Sequence, residues 1–317
     1  MTQRDIEFSI VSGSNDSLLF GCLESLQSTM QGSRYSWSVT VTVNAKPGLA
    51  ARILEQFEFA NIIQNETPRG FAANHNVVLK ASTARYVWLL NDDLVILPAA
   101  VDCLTDFLDD PDNARVAVVS PKLLNPDRTL QPSTYGFPSM PQILLAHSGL
   151  RDSRFTNLML RAAAPVLRSR KGSSRFWAHD KVVEVDTFRG ACVAMRMNAV
   201  KEVGLMVEVA LVGAEETEWH RRFHEAGWKV VFHPGAEVIH YGSQTVGGET
   251  SSLLPEYLKG ALYFFRASRS ASAYAVFRSA LLAMFNAKLV AQRVARNEKG
   301  IAITRRYLEV TRDGAEA

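Results

Sequence analysis

Two adjacent carboxylates follow directly after an apolar segment of the chain. The segment YVWLLNDD, residues 86–93, ends in Asn91, Asp92 and Asp93. A short apolar run of this kind predicts a buried strand, and ligands of open α/β sheets bind beyond the carboxyl ends of the strands. Oxygen ligands at such a point suit Mg²⁺ or Mn²⁺, and these cations bridge the phosphates of nucleotides. A solvated turn is the alternative for the same three residues.

A second acidic cluster, at Glu215, Glu216 and Glu218, lies at the start of a predicted helix. A carboxylate that faces a pocket there can accept the proton of a hydroxyl group as a general base. Stabilisation of the helix dipole by acids in the first turn is the alternative.

The histidines offer one further ligand candidate. His240 follows the apolar run AEVI at a predicted strand end, where an imidazole either binds a ligand or serves the local structure. His220 and His224 are four residues apart, but no HExxH motif and no cysteine partner accompanies them. A zinc site is therefore not predicted there.

Several function classes lack their motifs in this sequence. It contains no GxGxxG after the first apolar run, no GxxxxGK[ST] and no GxSxG. Their absence argues against a dinucleotide-dependent dehydrogenase, a P-loop NTPase and an α/β-hydrolase. The basic segments lack the regular aromatic residues on which single-stranded nucleic acids stack, so no nucleic-acid partner is expected.

The elements that must position these side chains alternate between strands and helices, which favours a mostly parallel sheet with helices on both faces. Apolar runs predict strands, and helical spacing predicts helices between them. The predicted strands are 6–13, 37–43, 62–63, 86–93 and 114–124, and the predicted helices are 18–30, 49–59, 71–82 and 98–109. A strand leading into a helix is predicted over 182–200, and a helix followed by two strands over 215–242.

Charge is distributed unevenly over the 317 residues, although the net charge is only +3. The segments 147–181 and 255–317 each carry +6, so the remaining residues sum to −9. This division suggests an acidic body with basic attachments that face phosphates or anionic lipid. The segment from 255 onward also has a helical pattern.

The chain has no predicted targeting segment. Cys22, Cys103 and Cys192 are widely spaced and odd in number, which indicates buried, reduced thiols. The N-terminus lacks the pattern of a signal peptide, and no run reaches the roughly 18 apolar residues of a membrane span. A cytoplasmic protein is therefore expected.

Five segments, in this order, resemble the family 2 glycosyltransferases of the GT-A fold, especially the bacterial rhamnosyltransferase-like branch. They are 8–16 (FSIVSGSND), 65–96 (containing PRGFAANHN and LLNDDLVI), 118–133 (VVSPKLLNPDRTLQPS), 185–204 (containing FRGACVAM) and 215–245 (containing EETEWHRRFHEAGW and EVIHYGSQT). The resemblance implies an α/β fold with a mostly parallel, Rossmann-like sheet flanked by helices and a C-terminal helical extension. It implies a GT-A domain over 1–254, with a nucleotide-sugar half of about 1–120 and an acceptor half of about 121–254. The basic helical extension then covers 255–317.

The resemblance also implies roles for individual residues. Asp93 and His240 match the family's metal ligands, and Glu216, with Glu215 as second choice, matches its general base. The residues that match the nucleotide-sugar pocket are Ser12, Asn15, Asn44, Gly70, Phe71, Asn74, Asn91, Asp92 and Gly190. The chain departs from the family pattern at Asn44, where Asp is usual, at Glu216 and Glu218, which also replace Asp, and in the stretch 205–211.

The function implied is inverting, metal-dependent transfer of a sugar, with Mn²⁺ or Mg²⁺ as cofactor. The donor is a nucleotide sugar, for which dTDP-rhamnose is one candidate. The acceptor is a glycan or a lipid-linked molecule of cell-surface polysaccharide biosynthesis. The alternative is a GT-A-like protein that binds nucleotide or glycan without turnover. Residues 255–317 either contact an anionic membrane at the inner face of the cytoplasmic membrane or pack on the core or another subunit.

Overall fold

The computed structural model describes residues 4–13, 15–148, 177–209, 215–242 and 250–314. Most of the basic segment 147–181, namely 149–176, lies outside the described residues. In chain order the strands are β1 Ile6–Ser12, β2 Trp37–Asn44, β3 Ala60–Asn65, β4 Tyr86–Asn91, β5 Leu94–Ile96, β6 Val116–Leu124, β7 Thr134–Tyr135, β8 Val183–Glu184, β9 Thr187–Phe188, β10 Cys192–Arg196 and β11 Lys229–His240.

The α-helices alternate with these strands in the first half of the chain and dominate its end. They are α1 Asp16–Met30, α2 Leu49–Gln56, α3 Phe71–Ala81, α4 Ala100–Asp109, α5 Met140–Ser148, α6 Met197–Val203, α7 Glu215–Glu225, α8 Thr250–Ser268, α9 Ala271–Val294 and α10 Glu298–Asp313. The predicted β-α order of the first half is therefore confirmed.

A mixed sheet of nine strands forms the centre of the molecule, with the order β3-β2-β1-β4-β10-β6-β11-β5 and β8 on the side of β11. The strands β1 to β4 pair in parallel, and so do β6 and β11. Strand β10 runs antiparallel between β4 and β6, and β5 runs antiparallel to β11. Strands β7 and β9 form a separate two-stranded sheet. The expectation of a mostly parallel sheet with helices around it is confirmed.

At β4 both faces of the sheet are buried, as its apolar run predicts. The side chains of Tyr86, Trp88 and Leu90 pack in the cluster beneath α1, α2 and α4. Those of Val87 and Leu89 pack in the opposite cluster, which contains residues of α3, α6 and α7. This alternation places the residues after β4 at the end of a strand that is fixed from both sides.

Two predicted strands within 229–240 are one strand in the structure. The sequence His233-Pro234-Gly235 predicts a turn, but β11 continues through it and pairs with β6 on both sides. A register shift between His233 and Glu237 accommodates the irregular residues as a bulge. The single strand predicted within 182–200 is instead divided into β8, β9 and β10 before α6, and β5 was not predicted.

The three cysteines are free thiols. Burial raises the pKa of Cys22 and of Cys192, so both thiols are held in the protonated, unreactive form. Cys103 is partly exposed, contrary to the expectation that all three are buried.

The C-terminal helices α8, α9 and α10 form a hydrophobic cluster of their own, as the helical pattern from 255 onward predicts. Phe265, Phe277 and Phe285 lie at its centre, and residues of α5 pack against it. Helix α9 is long and apolar enough to cross a membrane by length and composition, and only 22% of its most apolar 18-residue stretch is buried. By length and composition alone α9 is thus a candidate span, although Arg278 and Lys288 interrupt its apolar residues.

Candidate active site

The loop after β4 is attached to the end of β1 by Asp92. Its Oδ2 accepts a hydrogen bond of 2.7 Å from the main-chain N–H of Gly13, and the Asp92 side chain is buried. Because β1 and β4 are parallel neighbours, their carboxyl ends meet at the same edge of the sheet. Oδ2 of Asp92 therefore holds the loop after β4 against the end of β1. A contact between Asp92 and the sugar or ribose of the donor stays a prediction.

The two predicted metal ligands, Asp93 and His240, lie next to each other. Antiparallel pairing of β5 with β11 places Leu94 opposite His240, and the N–H of Tyr241 donates to the carbonyl oxygen of Asp93 at 3.0 Å. His240 Nε2 lies 3.3 Å from Asp93 Oδ1, and both side chains are buried. The side-chain nitrogen of Asn91 lies 3.4 Å from the same Nε2 atom.

This pair fits a divalent cation. Neither carboxylate oxygen of Asp93 accepts a hydrogen bond within the described part of the chain, although both are buried. A buried carboxylate in that state is costly unless a cation compensates it. Carboxylate oxygen and imidazole nitrogen together suit Mn²⁺, and Mg²⁺ is often held by one or two carboxylates plus substrate phosphates. Among the described residues there is no group of three or more His, Cys, Asp or Glu side chains that could hold a metal ion. Asp93 and His240 are therefore a pair of candidate ligands without a third side chain of these types beside them.

The predicted base, Glu216, lies against the main chain of Gly190. A Cβ atom at Gly190 would lie 2.9 Å from Cγ of Glu216 and closer still to Oε1, so only glycine leaves room for this carboxyl group. Burial raises the pKa of Glu216, against smaller lowering effects from hydrogen bonds with the main chain of Glu216 and Gly190 and from the charge of Arg189. A carboxyl group with a raised pKa is a stronger base once it is ionised.

Gly190, which contacts Glu216, lies next to a main-chain hydrogen bond with the end of β4. The N–H of Asn91 donates to the carbonyl oxygen of Ala191 at 2.8 Å, and Ala191 follows Gly190 directly. Phe71, Gly190 and Glu216 also line one small cavity of about 10 Å³. The structure thus brings the predicted base, the turn at Gly190 and the start of α3 to one place.

The second choice for the base, Glu215, is also buried and is the first residue of α7. Glu218, on the same helix, is engaged elsewhere, because its carboxylate forms ion pairs with Arg221 and Arg222 at 2.9 Å each. Arg222 in turn donates to the carbonyl oxygens of Val203 and Leu205. Glu218 therefore anchors α7, while the two preceding glutamates stay candidates for the base.

The predicted nucleotide pocket contains a network of asparagine amides. Asn44 Oδ1 accepts hydrogen bonds from the Arg69 N–H and from Asn65 Nδ2, and Asn44 Nδ2 donates to the Arg69 carbonyl. Asn74 donates to the same carbonyl and accepts from Asn65. The network fixes the main chain at Arg69 in front of α3. Asn44 thus acts as both donor and acceptor at the position where the resemblance implies Asp.

Ser12 and Gly70 complete the same edge of the sheet. Ser12 Oγ accepts the N–H of Asn44 at 2.9 Å, which joins the ends of β1 and β2. Gly70 is the N-cap residue of α3 and offers no capping side chain, and Phe71 packs edge-on against His75. Asn15 caps α1 instead, because its Oδ1 accepts from the N–H of Ser17. Contact of these residues with a nucleotide stays a prediction.

Two residues near the site were not singled out from the sequence. Gln131 contacts His240, and the hydroxyl of Tyr257, on α8, lies close enough to both glutamates to feel their charge. Burial, followed by the charges of Glu216 and Glu215, raises the pKa of Tyr257. Gln131 belongs to a segment that carries the family resemblance, but neither residue stands in a motif that indicates chemistry.

Two solved structures share this architecture. The mannosyltransferase PcManGT from Pyrobaculum calidifontis, in complex with GDP-Man and Mn²⁺, matches with a TM-score of 0.54 and 13% identity, over 99% of this chain and 87% of its own. GalNAc-T7 with UDP, GalNAc and Mn²⁺ matches with a TM-score of 0.53 and 14% identity, over 86% of this chain and 53% of its own. The protein thus has the GT-A fold of glycosyltransferases.

The sequence comparison gives the family. Residues 6–260 match the family described as "Glycosyltransferase like family 2", and the chain belongs to it. Two curated relatives, from Mycobacterium tuberculosis strains CDC 1551 / Oshkosh and ATCC 25618 / H37Rv, are each described as "N-acetylglucosaminyl-diphospho-decaprenol L-rhamnosyltransferase". Each is 25% identical over 188 residues, which are 58% of this chain. The match spans 55% of the length of each relative.

Proposed function

We propose that this protein transfers a sugar from a nucleotide-sugar donor to an acceptor hydroxyl group with inversion at the anomeric carbon. The observation that carries the proposal is the pairing of the Asp93 carboxylate, which accepts no hydrogen bond in the described part of the chain, with His240 Nε2 at the carboxyl edge of the sheet. Asp93 and His240 would hold Mn²⁺ or Mg²⁺ there. When bound, such a cation supplies positive charge for the diphosphate of the leaving group.

Glu216 supplies the base in this proposal. Its carboxylate accepts the proton of the acceptor hydroxyl while the acceptor oxygen forms a bond to the anomeric carbon. The bond from that carbon to the donor diphosphate breaks, and its electron pair leaves with the nucleoside diphosphate. Contact with Gly190 holds the carboxyl group in one place for this proton transfer. The single displacement without a covalent enzyme intermediate is what the family resemblance implies.

dTDP-rhamnose is the donor to test first, with a lipid-linked or glycan acceptor of cell-surface polysaccharide synthesis. The support is the described activity of the curated relatives, which concerns L-rhamnose and a decaprenol-linked acceptor. A thermal-shift series with dTDP-rhamnose, UDP-sugars and GDP-mannose, each with and without Mn²⁺, identifies the donor. Product formation with the stabilising donor then tests transfer, and donor binding without turnover would favour the non-catalytic alternative.

We further propose that the protein is cytoplasmic and binds the inner face of the cytoplasmic membrane through α9. Phe277 and Phe285 bury one face of α9 in the C-terminal cluster, whereas Val276, Val290 and Val294 on the other face are 70%, 59% and 82% exposed. The apolar exposed face is accompanied by the net positive charge of residues 255–317, which anionic lipids attract. Because one face of α9 is packed against the other C-terminal helices, α9 suits a position parallel to the membrane surface better than a position across the membrane.

Flotation with vesicles tests this membrane contact. The full chain should float with vesicles that contain anionic lipid and remain largely free with zwitterionic ones at the same ionic strength. A protein that instead forms dimers in solution, and floats with neither, would show that α9 packs against another subunit.

A further inference from the structure

Gln131 is brought to His240 by a tight loop at the end of β6. The main-chain N–H of Arg128 donates to the carbonyl of Asn125 at 2.8 Å, and the N–H of Gln131 donates to Leu123 at 2.9 Å. These bonds return the chain alongside β6. Gln131 Oε1 then lies 2.6 Å from Nδ1 of His240.

The orientation of the Gln131 amide follows from its other two contacts. Its Nε2 donates to the main-chain carbonyl oxygen of His240 at 3.1 Å and to Asn125 Oδ1 at 3.0 Å. A main-chain carbonyl only accepts hydrogen bonds, so the amide nitrogen must face it and the amide oxygen must face the imidazole. Because that oxygen also only accepts, His240 Nδ1 must carry a proton.

A protonated Nδ1 determines what the other ring nitrogen presents to Asp93. In the neutral imidazole, Nε2 then bears a lone pair. This lone pair lies 3.3 Å from Oδ1 of Asp93, so two acceptors face each other and require a cation or a proton between them. The side-chain amide nitrogen of Asn91, Nδ2, lies 3.4 Å from Nε2 and is the neighbouring donor.

We infer that Gln131 is a positioning residue that fixes the Nδ1–H tautomer and the ring orientation of His240, so that Nε2 is presented as a ligand beside Asp93. The inference rests on the proposed function, in which Asp93 and His240 hold the divalent cation. Partners on the far nitrogen of a ligating histidine commonly act in this way. Gly242, two residues after His240, has a φ of 61°, a conformation that favours glycine.

The tautomer is measured on the full chain with ¹⁵N-labelled histidine by long-range ¹H–¹⁵N correlation at pH 8.5, with and without Mg²⁺. His240 is assigned from its absence in His240→Ala. Wild type should show a protonated Nδ1 in both conditions, and an unprotonated Nε2 with Mg²⁺. Gln131→Leu should shift His240 to the Nε2–H tautomer that imidazole prefers in water. A wild-type His240 that lacks the Nδ1 proton would overturn the inference without any variant.

Mn²⁺ affinity, measured by electron paramagnetic resonance, gives the second readout. Gln131→Leu should weaken Mn²⁺ binding by roughly 10- to 100-fold. Gln131→Glu keeps an acceptor for Nδ1–H but loses both hydrogen bonds that Nε2 donates, to the His240 carbonyl and to Asn125 Oδ1, so it should weaken Mn²⁺ binding less than Gln131→Leu does. Gln142→Leu makes the same change at an exposed glutamine on α5 and should leave affinity unchanged.

The two failures are distinguishable. If wild type binds Mn²⁺ no better than Asp93→Ala, the proposed metal site is wrong, whatever the tautomer of His240. If wild type binds through Asp93 but Gln131→Leu keeps both affinity and tautomer, the inference about Gln131 is wrong and the metal site stands.

Discussion

The carboxyl group of Glu216 occupies the space in which a side chain at Gly190 would stand, with only 2.9 Å between its Cγ atom and the position of a Cβ. Gly190 precedes Ala191, whose carbonyl oxygen accepts the N–H of Asn91. Gly190 limits the position of Glu216, and its neighbour Ala191 is thus hydrogen-bonded to the residue that precedes Asp92 and Asp93. A change at Gly190 therefore reaches the base without altering a titratable group.

Gly190→Ala should lower kcat by about 100-fold with a folded protein, because the new methyl group displaces the Glu216 carboxylate by the order of 1 Å, and misplacement of that size is costly in catalysis. The measurement is steady-state transfer with the donor found by thermal shift. Gly32→Ala is the matched control, since a Cβ there meets nothing within 4 Å. Equal activity of Gly190→Ala and wild type would contradict a base at this position.

Glu216→Gln should reduce kcat by about 10² to 10⁴-fold while donor binding is retained, because the amide cannot accept the acceptor proton. Glu225→Gln, an exposed change on the same helix, serves as control. Glu215→Gln tests the second choice. Loss in Glu215→Gln with activity in Glu216→Gln would assign the base to Glu215.

The pH dependence of the wild type follows from the raised pKa of Glu216. The base works only when ionised, so kcat/KM should rise with pH through a value above 4.5, the ordinary pKa of glutamate, and then level off. The folded protein holds this proton more tightly than the unfolded chain, so folding stability should fall as pH rises from the ordinary value to the raised one. In Glu216→Gln, the rise of kcat/KM with pH and the fall in stability that Glu216 causes should both disappear. A wild-type profile of kcat/KM with no inflection above pH 4.5 would contradict Glu216 as the base.

Asp93→Asn should separate folding from metal binding. Without metal, the variant should be as stable as wild type or up to about 3 kcal/mol more stable, because a neutral amide replaces a buried carboxylate that accepts no hydrogen bond in the described part of the chain. With Mn²⁺, wild type should gain in melting temperature and the variant should not. Asp112→Asn, at an exposed position, is the control. A variant that responds to Mn²⁺ like wild type would exclude Asp93 as a ligand.

Much of the fold was predictable because it follows from local patterns. The apolar run 86–90 is buried on both faces and therefore shows no alternation, which predicts a central strand. The position of Asp93 at its end follows from the same pattern. What places His240 beside Asp93 is the pairing of β5 with β11. β5 has only three residues and lies next to a loop, so its sequence carries too little periodicity to indicate a strand.

The remaining differences arise where distant contacts override local signals. Pro234 and Gly235 predict a turn, yet pairing with β6 on both sides keeps β11 continuous through a bulge. Gln131 is a single polar residue in a loop, and its relation to His240 depends on the return of the chain after β6. The partners in such contacts are far apart in the chain, so no short segment of the sequence indicates them.

Substitution of the exposed valines on α9 tests the proposed membrane contact with little effect on the fold. Val276→Asn with Val294→Asn should lower the fraction of protein that floats with anionic vesicles at least threefold, because both side chains are largely exposed and lie on the unpacked face. The matched control is Leu54→Asn with Val182→Asn, which removes two exposed apolar side chains elsewhere, at 44% and 49% exposure. Equal flotation of the two double variants would show that α9 does not make the contact. Raised salt should weaken flotation of wild type, since the basic extension contributes by charge.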